Sequence, residues 1–264
     1  MPPPPPRLAV PCNPLLLLCF QITGSRGTIL ALLSGSMPRP ARKDILGDGP
    51  ATVHLTVRVH NRDFLLADVM VKTTLYLLLF LYKSVFGILV YHYCFMDSHI
   101  HLILYAPSTE ALSRFMQQVF SQLARFINKR YKRCGQVLMD RARTPVIQDG
   151  RRFICTMRYI DLNPVRAGMV GKAKNYAWSS YRYYAYGEQD DLIDPAPEYL
   201  GISKVAAVRR RTYQELVTKL LERGEQRLPE MTNWYYIGDP AWVIGNMLRA
   251  GFLRPRKPPD IFGP

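Results

Sequence analysis

The sequence predicts an α+β fold: an antiparallel sheet with helices on one face, followed by a helical C-terminal extension. Three observations predict it. Short stretches alternate apolar and polar residues with the period of a strand. Longer stretches place apolar residues at three- and four-residue steps, the period of a helix. The two kinds interleave in the order strand, helix, strand, strand, helix, strand, helix. With 264 residues, 48% of them hydrophobic, the chain has ample material for a packed core plus appendages.

The first strand is expected over residues 51–60. Val53, Leu55, Val57 and Val59 face one way and Thr52, His54, Thr56 and Arg58 the other, as in a half-buried strand. Asn61-Arg62-Asp63 turns the chain. Residues 68–84 are Leu-rich and suit a buried helix, whereas 86–95 are β-branched and aromatic and suit a buried strand. Together, residues 75–96 are nearly long and apolar enough to cross a bilayer, but Lys83, Gly87 and His92 interrupt them. Helix then strand is therefore the reading adopted, with no stable membrane partner. Met96-Asp97-Ser98 is a tight turn, and His99 opens a strand reaching residue 106 that pairs back as a hairpin. Ser108-Thr109-Glu110 starts a long helix whose stripe is Leu112, Phe115, Met116, Val119, Phe120, Leu123, Phe126 and Ile127. Residues 144–147 suit a short edge strand, and 150–167 contain a helix ending near Gly168. This is a ferredoxin-like plan with one extra helix. Beyond it, residues 209–225 read as a basic amphipathic helix, 234–250 as another helical element and 254–264 as a Pro-rich tail.

Lys and Arg number 35 against 20 Asp and Glu, a formal net charge of +15. Such a surplus points to a polyanionic partner, of which nucleic acid is the commonest. Cys12, Cys19, Cys94, Cys134 and Cys155 are five, with no CxxC pair, so neither a disulfide framework nor a cysteine zinc site is indicated. A reducing cytoplasm fits this usage. Residues 1–36 differ from the rest: Pro2–Pro6 form a polyproline run, and Leu15–Leu18 with Cys19 and Phe20 a short apolar one. They are expected to be either a disordered extension or a mis-assigned one, in which case translation would start at Met37. Residues 37–186 are then the main domain, and 187–264 a helical basic extension.

His99-Ile100-His101 is the sharpest chemical feature. In a strand, residues i and i+2 share a face, so both imidazoles project together as a ready pair of metal ligands. A second feature lies in the last helix, Arg158-Tyr159-Ile160-Asp161-Leu162-Asn163-Pro164-Val165-Arg166-Ala167-Gly168. Tyr159 and Asn163 are i and i+4, one helical face. A phenol can act as a nucleophile, and an amide oxygen can ligate a hard divalent cation. Each motif alone has a plainer explanation: a surface histidine pair, a core tyrosine, an Asn-Pro turn.

Together, Met96-x-x-His99-Ile100-His101-Leu102 and the Tyr159 motif resemble the IS200-like, or REP-associated, tyrosine transposases of the HUH single-strand endonuclease superfamily. Trp178-Ser179-Ser180-Tyr181 and Val57-Arg58-Val59-x-Asn61-Arg62 resemble the same family's flanking segments. The resemblance covers residues 37 to about 186 and, more loosely, the C-terminal part through Trp242. Two departures stand out: Asp97-Ser98 replaces the usual Pro-Asn before the first histidine, and residues 137–143 lack the Trp/Gln-rich pattern.

The resemblance implies a metal-dependent transposase that nicks and rejoins single-stranded DNA. Tyr159 would be the nucleophile, forming a 5′-phosphotyrosine intermediate. His99, His101 and Asn163 would hold Mg²⁺ or Mn²⁺. Arg58, Arg62, Arg158, Arg166, Tyr181 and Arg182 would contact DNA, the last two as part of an aromatic-basic stretch on which bases stack. The implied partner is single-stranded DNA with hairpin-forming repeats, bound by a monomer or a homodimer. The alternative is a non-catalytic DNA-binding descendant.

Overall fold

The computed structural model describes residues 40–222 and 235–252. The expectations for residues 1–36 and for the C-terminal tail fall outside them. From Ala41 onward the described residues form one compact unit.

A short helix, α1 (Arg42–Leu46), leads into β1 (Ala51–Val59) and a 3₁₀ turn, His60–Arg62. Then come α2 (Val69–Val85), β2 (Leu89–Phe95), β3 (His99–Ala106) and α3 (Thr109–Arg130). Two strands, β4 (Leu138–Arg143) and β5 (Val146–Ile147), precede α4 (Arg151–Asp161) and the single turn α5 (Asn163–Arg166). The rest is α6 (Tyr181–Tyr186), α7 (Pro197–Leu200), α8 (Ala206–Glu222), β6 (Tyr236–Ile237) and α9 (Pro240–Arg249).

The sheet runs β2-β3-β1-β5-β6, with β4 also paired to β1. Every pairing is antiparallel except β5 with β6. The β5, β1, β3, β2 succession is the ferredoxin-like arrangement that the element order predicts. β4 is the strand that sequence reading missed, because Leu-Met-Asp-Arg-Ala-Arg has no clean alternation and three charges. Its pairing with β1 also shifts register between Thr56 and Arg58.

Local chemistry sets the boundaries. The Asp68 carboxylate caps α2 by accepting from the Met70 amide at 2.8 Å. It also accepts from Arg130 and Tyr131 at the far end of α3, so one side chain pins two helices. Ser108 caps α3 through the Ala111 amide at 3.1 Å. Gly87, at φ 64°, lets the chain leave α2 and enter the sheet.

β1 and β3 register Thr56 opposite His101 and Arg58 opposite His99, so these four residues share a face with His54 and Ile103. Leu55, Val57, Ile100, Leu102 and Leu104 point the other way, where α2 and α3 pack on them. Tyr93, on that apolar face, meets Tyr76 of α2, and Phe86 meets Phe115 of α3. The extra helix α4 covers the histidine face. His54 is consequently 0% exposed, not half-exposed as a strand with one wet side would leave it. α2 differs in the opposite sense: Leu77, Phe80, Leu81 and Val85 are exposed, so it is half-buried rather than buried. No helix among the described residues is long and apolar enough to cross a membrane.

The compact unit runs across the boundary expected near residue 186. Asp190 accepts from the Tyr76 and Tyr93 hydroxyls at 2.9 and 2.7 Å, which helps to push the Tyr76 phenol up to about 12, after burial. Asp194 accepts from Lys83 and from the Val90 amide. Residues 178–180 run beside β2 as an irregular edge, with Trp178 O accepting from Phe95 N at 2.9 Å.

Candidate active site

The turn before His99 is fixed by charge. Lys72 of α2, 3% exposed, pairs with Asp97 at 2.7 Å and donates to the Tyr176 hydroxyl at 3.2 Å. Val59 N and Leu66 N donate to the Ser98 and Asp97 carbonyls. Asp97 at the position where the resembling family has proline therefore gives a pinned turn, held by a side-chain pair rather than by ring closure.

From that turn, β3 projects His99 and His101 with ring centroids 4.8 Å apart. His101 Nδ1 lies 2.9 Å from Nε2 of His54, and the two rings stack at 5.1 Å. With Nδ1 donating, Nε2 of His101 keeps its lone pair for a ligand, the arrangement by which a second group orients a metal-binding imidazole. Burial holds the His101 pKa well below the ordinary histidine value, and His99, His54, Arg58 and Arg166 add to the effect. A neutral imidazole is the ligating form.

Tyr159, 4% exposed, stands edge-on to both buried imidazoles, 6.5 Å from His54 and 6.4 Å from His101 between ring centroids. α4 stops at Asp161, and Pro164 sits in the first turn of α5, so the helix breaks between Tyr159 and Asn163. Arg166 rejoins them. Its guanidinium carbon lies 4.5 Å over the Tyr159 ring, and Nη2 donates to the Tyr159 carbonyl and, at 3.0 Å, to Asn163 Oδ1. A cation over a phenol stabilises negative charge on its oxygen.

The two histidines fit a divalent cation: they are adjacent, share a strand face, and His101 is neutral with its second nitrogen held. Asn163 turns its oxygen to Arg166, while its buried Nδ2 has no partner. An amide oxygen has two lone pairs, so that contact leaves one for a cation. Among the described residues, no three His, Cys, Asp or Glu side chains are grouped to hold a metal by themselves.

Of the expected DNA contacts, Arg58 and Arg166 are near this centre. Arg158 is half-buried, with its Nε partnerless. The Arg62 side chain lies outside the described part. Tyr181 is 6% exposed and packed against Tyr186 and Tyr213, so it offers no open ring face to a base. Arg182, on the same helix as Tyr181, donates to the Lys174 carbonyl at 2.8 Å.

Sequence reading missed His54 as a site residue. Its signal was present: strand parity puts it on the Thr56 and Arg58 face, opposite the expected histidine pair. It also missed His92 and Asp161, which are bonded at 2.9 Å and fully buried beside the site.

Residues 50–142 match the family described as "Transposase IS200 like". The matched segment contains β1 to β4 with His54, His99 and His101, and it ends before α4 with Tyr159. No curated protein matches the chain. A solved structure, a REP-associated tyrosine transposase bound to a REP hairpin, aligns at 18% identity and a TM-score of 0.49. It covers 61% of this chain and 93% of its own.

Proposed function

We propose that this chain, whose residues 50–142 match the IS200-like transposase family, nicks and rejoins single-stranded DNA with Tyr159 as nucleophile. The observation that carries the proposal is the position of the Tyr159 ring: edge-on to His101 and under the Arg166 guanidinium.

His99 and His101 would hold Mg²⁺ or Mn²⁺, with Asn163 as third ligand. Imidazole ligands make Mn²⁺ the better chemical match, and Mg²⁺ would depend on its abundance. When bound, the cation would polarise the scissile phosphate and offset its developing charge. The phenol oxygen of Tyr159 attacks phosphorus, and the phosphorus–O3′ bond breaks. The phenol proton passes to solvent and the leaving oxygen becomes a 3′-hydroxyl. The 5′-phosphate remains on Tyr159 as a diester, so an incoming 3′-hydroxyl reverses the step and seals a strand. Arg166 favours the phenolate character that attack requires, because its charge sits against the ring. His54 keeps His101 in the tautomer that ligates.

Single strands suit a tyrosine recessed between a sheet and a helix, since a duplex backbone cannot bend into that crevice. The net charge of +15 supplies the electrostatic attraction for phosphates. Hairpin-forming repeats are the proposed substrate, in line with the family resemblance.

The test is incubation with Mn²⁺ and a labelled oligonucleotide bearing a hairpin and single-stranded flanks, followed by denaturing electrophoresis. A covalent protein–DNA adduct is expected from the native chain and none from Tyr159→Phe, with DNA affinity nearly unchanged in that variant. Undiminished adduct in Tyr159→Phe would move the nucleophile elsewhere.

A further inference from the structure

Two residues beyond Tyr159, on the opposite side of α4, lies a second buried polar group. Asp161 is 1% exposed and is the last residue of the helix. A carboxylate there is doubly disfavoured, by loss of water and by the negative end of the helix dipole. Two donors compensate. His92 of β2, 0% exposed, places Nε2 at 2.9 Å from Oδ1. Tyr213 of α8, also 0% exposed, donates its hydroxyl to Oδ2 at 2.5 Å. The other nitrogen of His92, Nδ1, lies 2.8 Å from Ser180 Oγ, which in turn accepts from the Tyr93 amide. One carboxylate therefore joins three elements: β2, α8 and the helix that carries the tyrosine.

The Ser180–His92–Asp161 order resembles a hydrolytic triad, but all three side chains are sealed from solvent, at 0%, 0% and 1% exposure, so no substrate reaches the serine. The chain of bonds is structural in reach and positional in effect. Tyr213 itself is held by a cluster of rings, Tyr181, Tyr184 and Tyr199, at centroid distances of 6.3, 5.8 and 5.8 Å. Burial first, then Asp161, keeps its phenol protonated and donating at any ordinary pH.

We propose that Tyr213, through Asp161 and with His92 as the opposing anchor, is a positioning residue for Tyr159: the C-terminal helix α8 sets the rotation and height of the nucleophile helix over the histidine pair. The inference rests on the nucleophile reading above. It gives α8, which lies outside the family match, a part in the reaction that involves no contact with DNA. Misplacing a reacting group by about an ångström costs on the order of a hundredfold in rate, so releasing one end of α4 should act on rate rather than on binding.

The test pairs Tyr213→Phe with Tyr199→Phe. Both remove one buried hydroxyl from the same ring cluster and keep the ring. The Tyr199 hydroxyl donates at 2.7 Å to the Tyr184 carbonyl and does not reach α4. Two readouts are taken: hydrogen–deuterium exchange of the amides of residues 154–162, and the single-turnover rate of adduct formation beside the DNA affinity. Tyr213→Phe is expected to speed exchange across residues 154–162 and to slow adduct formation roughly ten- to a hundredfold at unchanged affinity. Tyr199→Phe is expected to lower the melting temperature comparably and to change neither readout. Unchanged exchange in Tyr213→Phe overturns the inference whether or not the native chain forms an adduct. Equal slowing by both variants overturns it too, since general loosening would then suffice. A native chain that forms no adduct overturns the nucleophile reading instead, and the exchange result still decides whether Tyr213 holds α4.

Discussion

Leu102 and His101 are neighbours in β3 and almost equally buried, at 0% and 3% exposure, yet they face opposite layers of the molecule. On the side of Leu102, the contacts are apolar and non-directional: Leu55, Leu104, Leu75 and Phe115 exclude water and ask only for volume. On the side of His101, the same dryness encloses His54, His92, Asp161, Ser180 and Tyr159, each of which needs a partner at a fixed distance. A core of the second kind stabilises less per buried area, because desolvation of the polar groups offsets much of what their hydrogen bonds return. What it provides is geometry. The two faces thus divide the work: one holds the fold together and the other holds a tyrosine against two imidazoles.

That division is open to direct attack. The largest effect should come from His101→Ala, which removes a proposed ligand while leaving the apolar face untouched. Adduct formation should disappear, His99→Ala should match it, and Asn163→Ala should be milder. Excess EDTA should reproduce the histidine losses in the native chain. Adduct that persists in EDTA would mean that the histidines act as structural groups or as acids and bases. Leu102→Ala makes the reciprocal cut. Deleting a fully buried leucine costs about 2–5 kcal/mol of stability, measurable by urea unfolding. The molecules that remain folded should still form adduct at a near-native rate. If Leu102→Ala abolishes chemistry in folded protein, the two faces are not separable.

The apolar face was legible in the sequence because its rules are periodic. Alternation over residues 53–59 and the stripe from Leu112 to Ile127 name their buried residues by spacing, with Phe120 and Phe126 of the stripe only partly buried. Three of the polar face's members were equally legible, since His-x-His in a strand and a Tyr motif in the last helix are written as local patterns. His54, His92, Asp161 and Tyr213 were not. Asp161 meets Tyr213 across 52 positions and His92 across 69, and nothing in either neighbourhood announces the other. A covering helix was also needed to bury His54, and alternation in β1 gave only a wet face. The burial of Tyr181 was illegible for the same reason: an aromatic run looks alike whether it faces solvent or packs against two other tyrosines.

A smaller effect should come from His54→Ala. Groups that orient a metal-bound imidazole typically contribute ten- to a hundredfold in metal affinity. The Mn²⁺ concentration giving half-maximal adduct should therefore rise by about that factor, and saturating Mn²⁺ should restore much of the rate. A rate that stays low at saturation would place His54 in the chemical step rather than behind its ligand.

The smallest effect tests whether polar contacts matter for where they lie or for what they are. α8 carries both kinds. Tyr213 on its inner side bonds a carboxylate sealed from water, whereas Arg211 on its outer side bonds Glu215 at 3.1 Å with side chains 85% and 50% exposed. Both are charge-assisted, at 2.5 and 3.1 Å. Water and salt screen the outer one, and two long side chains lose freedom to make it, so an exposed i,i+4 pair contributes about 0.3–0.5 kcal/mol. Glu215→Ala should accordingly shift the melting temperature by no more than a degree or two, and less in high salt. It should leave the rate of adduct formation untouched. Arg211→Ala should be as quiet in stability. If Arg211 also meets a phosphate, the log-affinity against log-salt line for single strands should flatten by about 0.7. A stability loss from Glu215→Ala as large as that from Tyr213→Phe would show that burial is not what separates the two sides of the helix, and with it the contrast between the two faces of the sheet would fail.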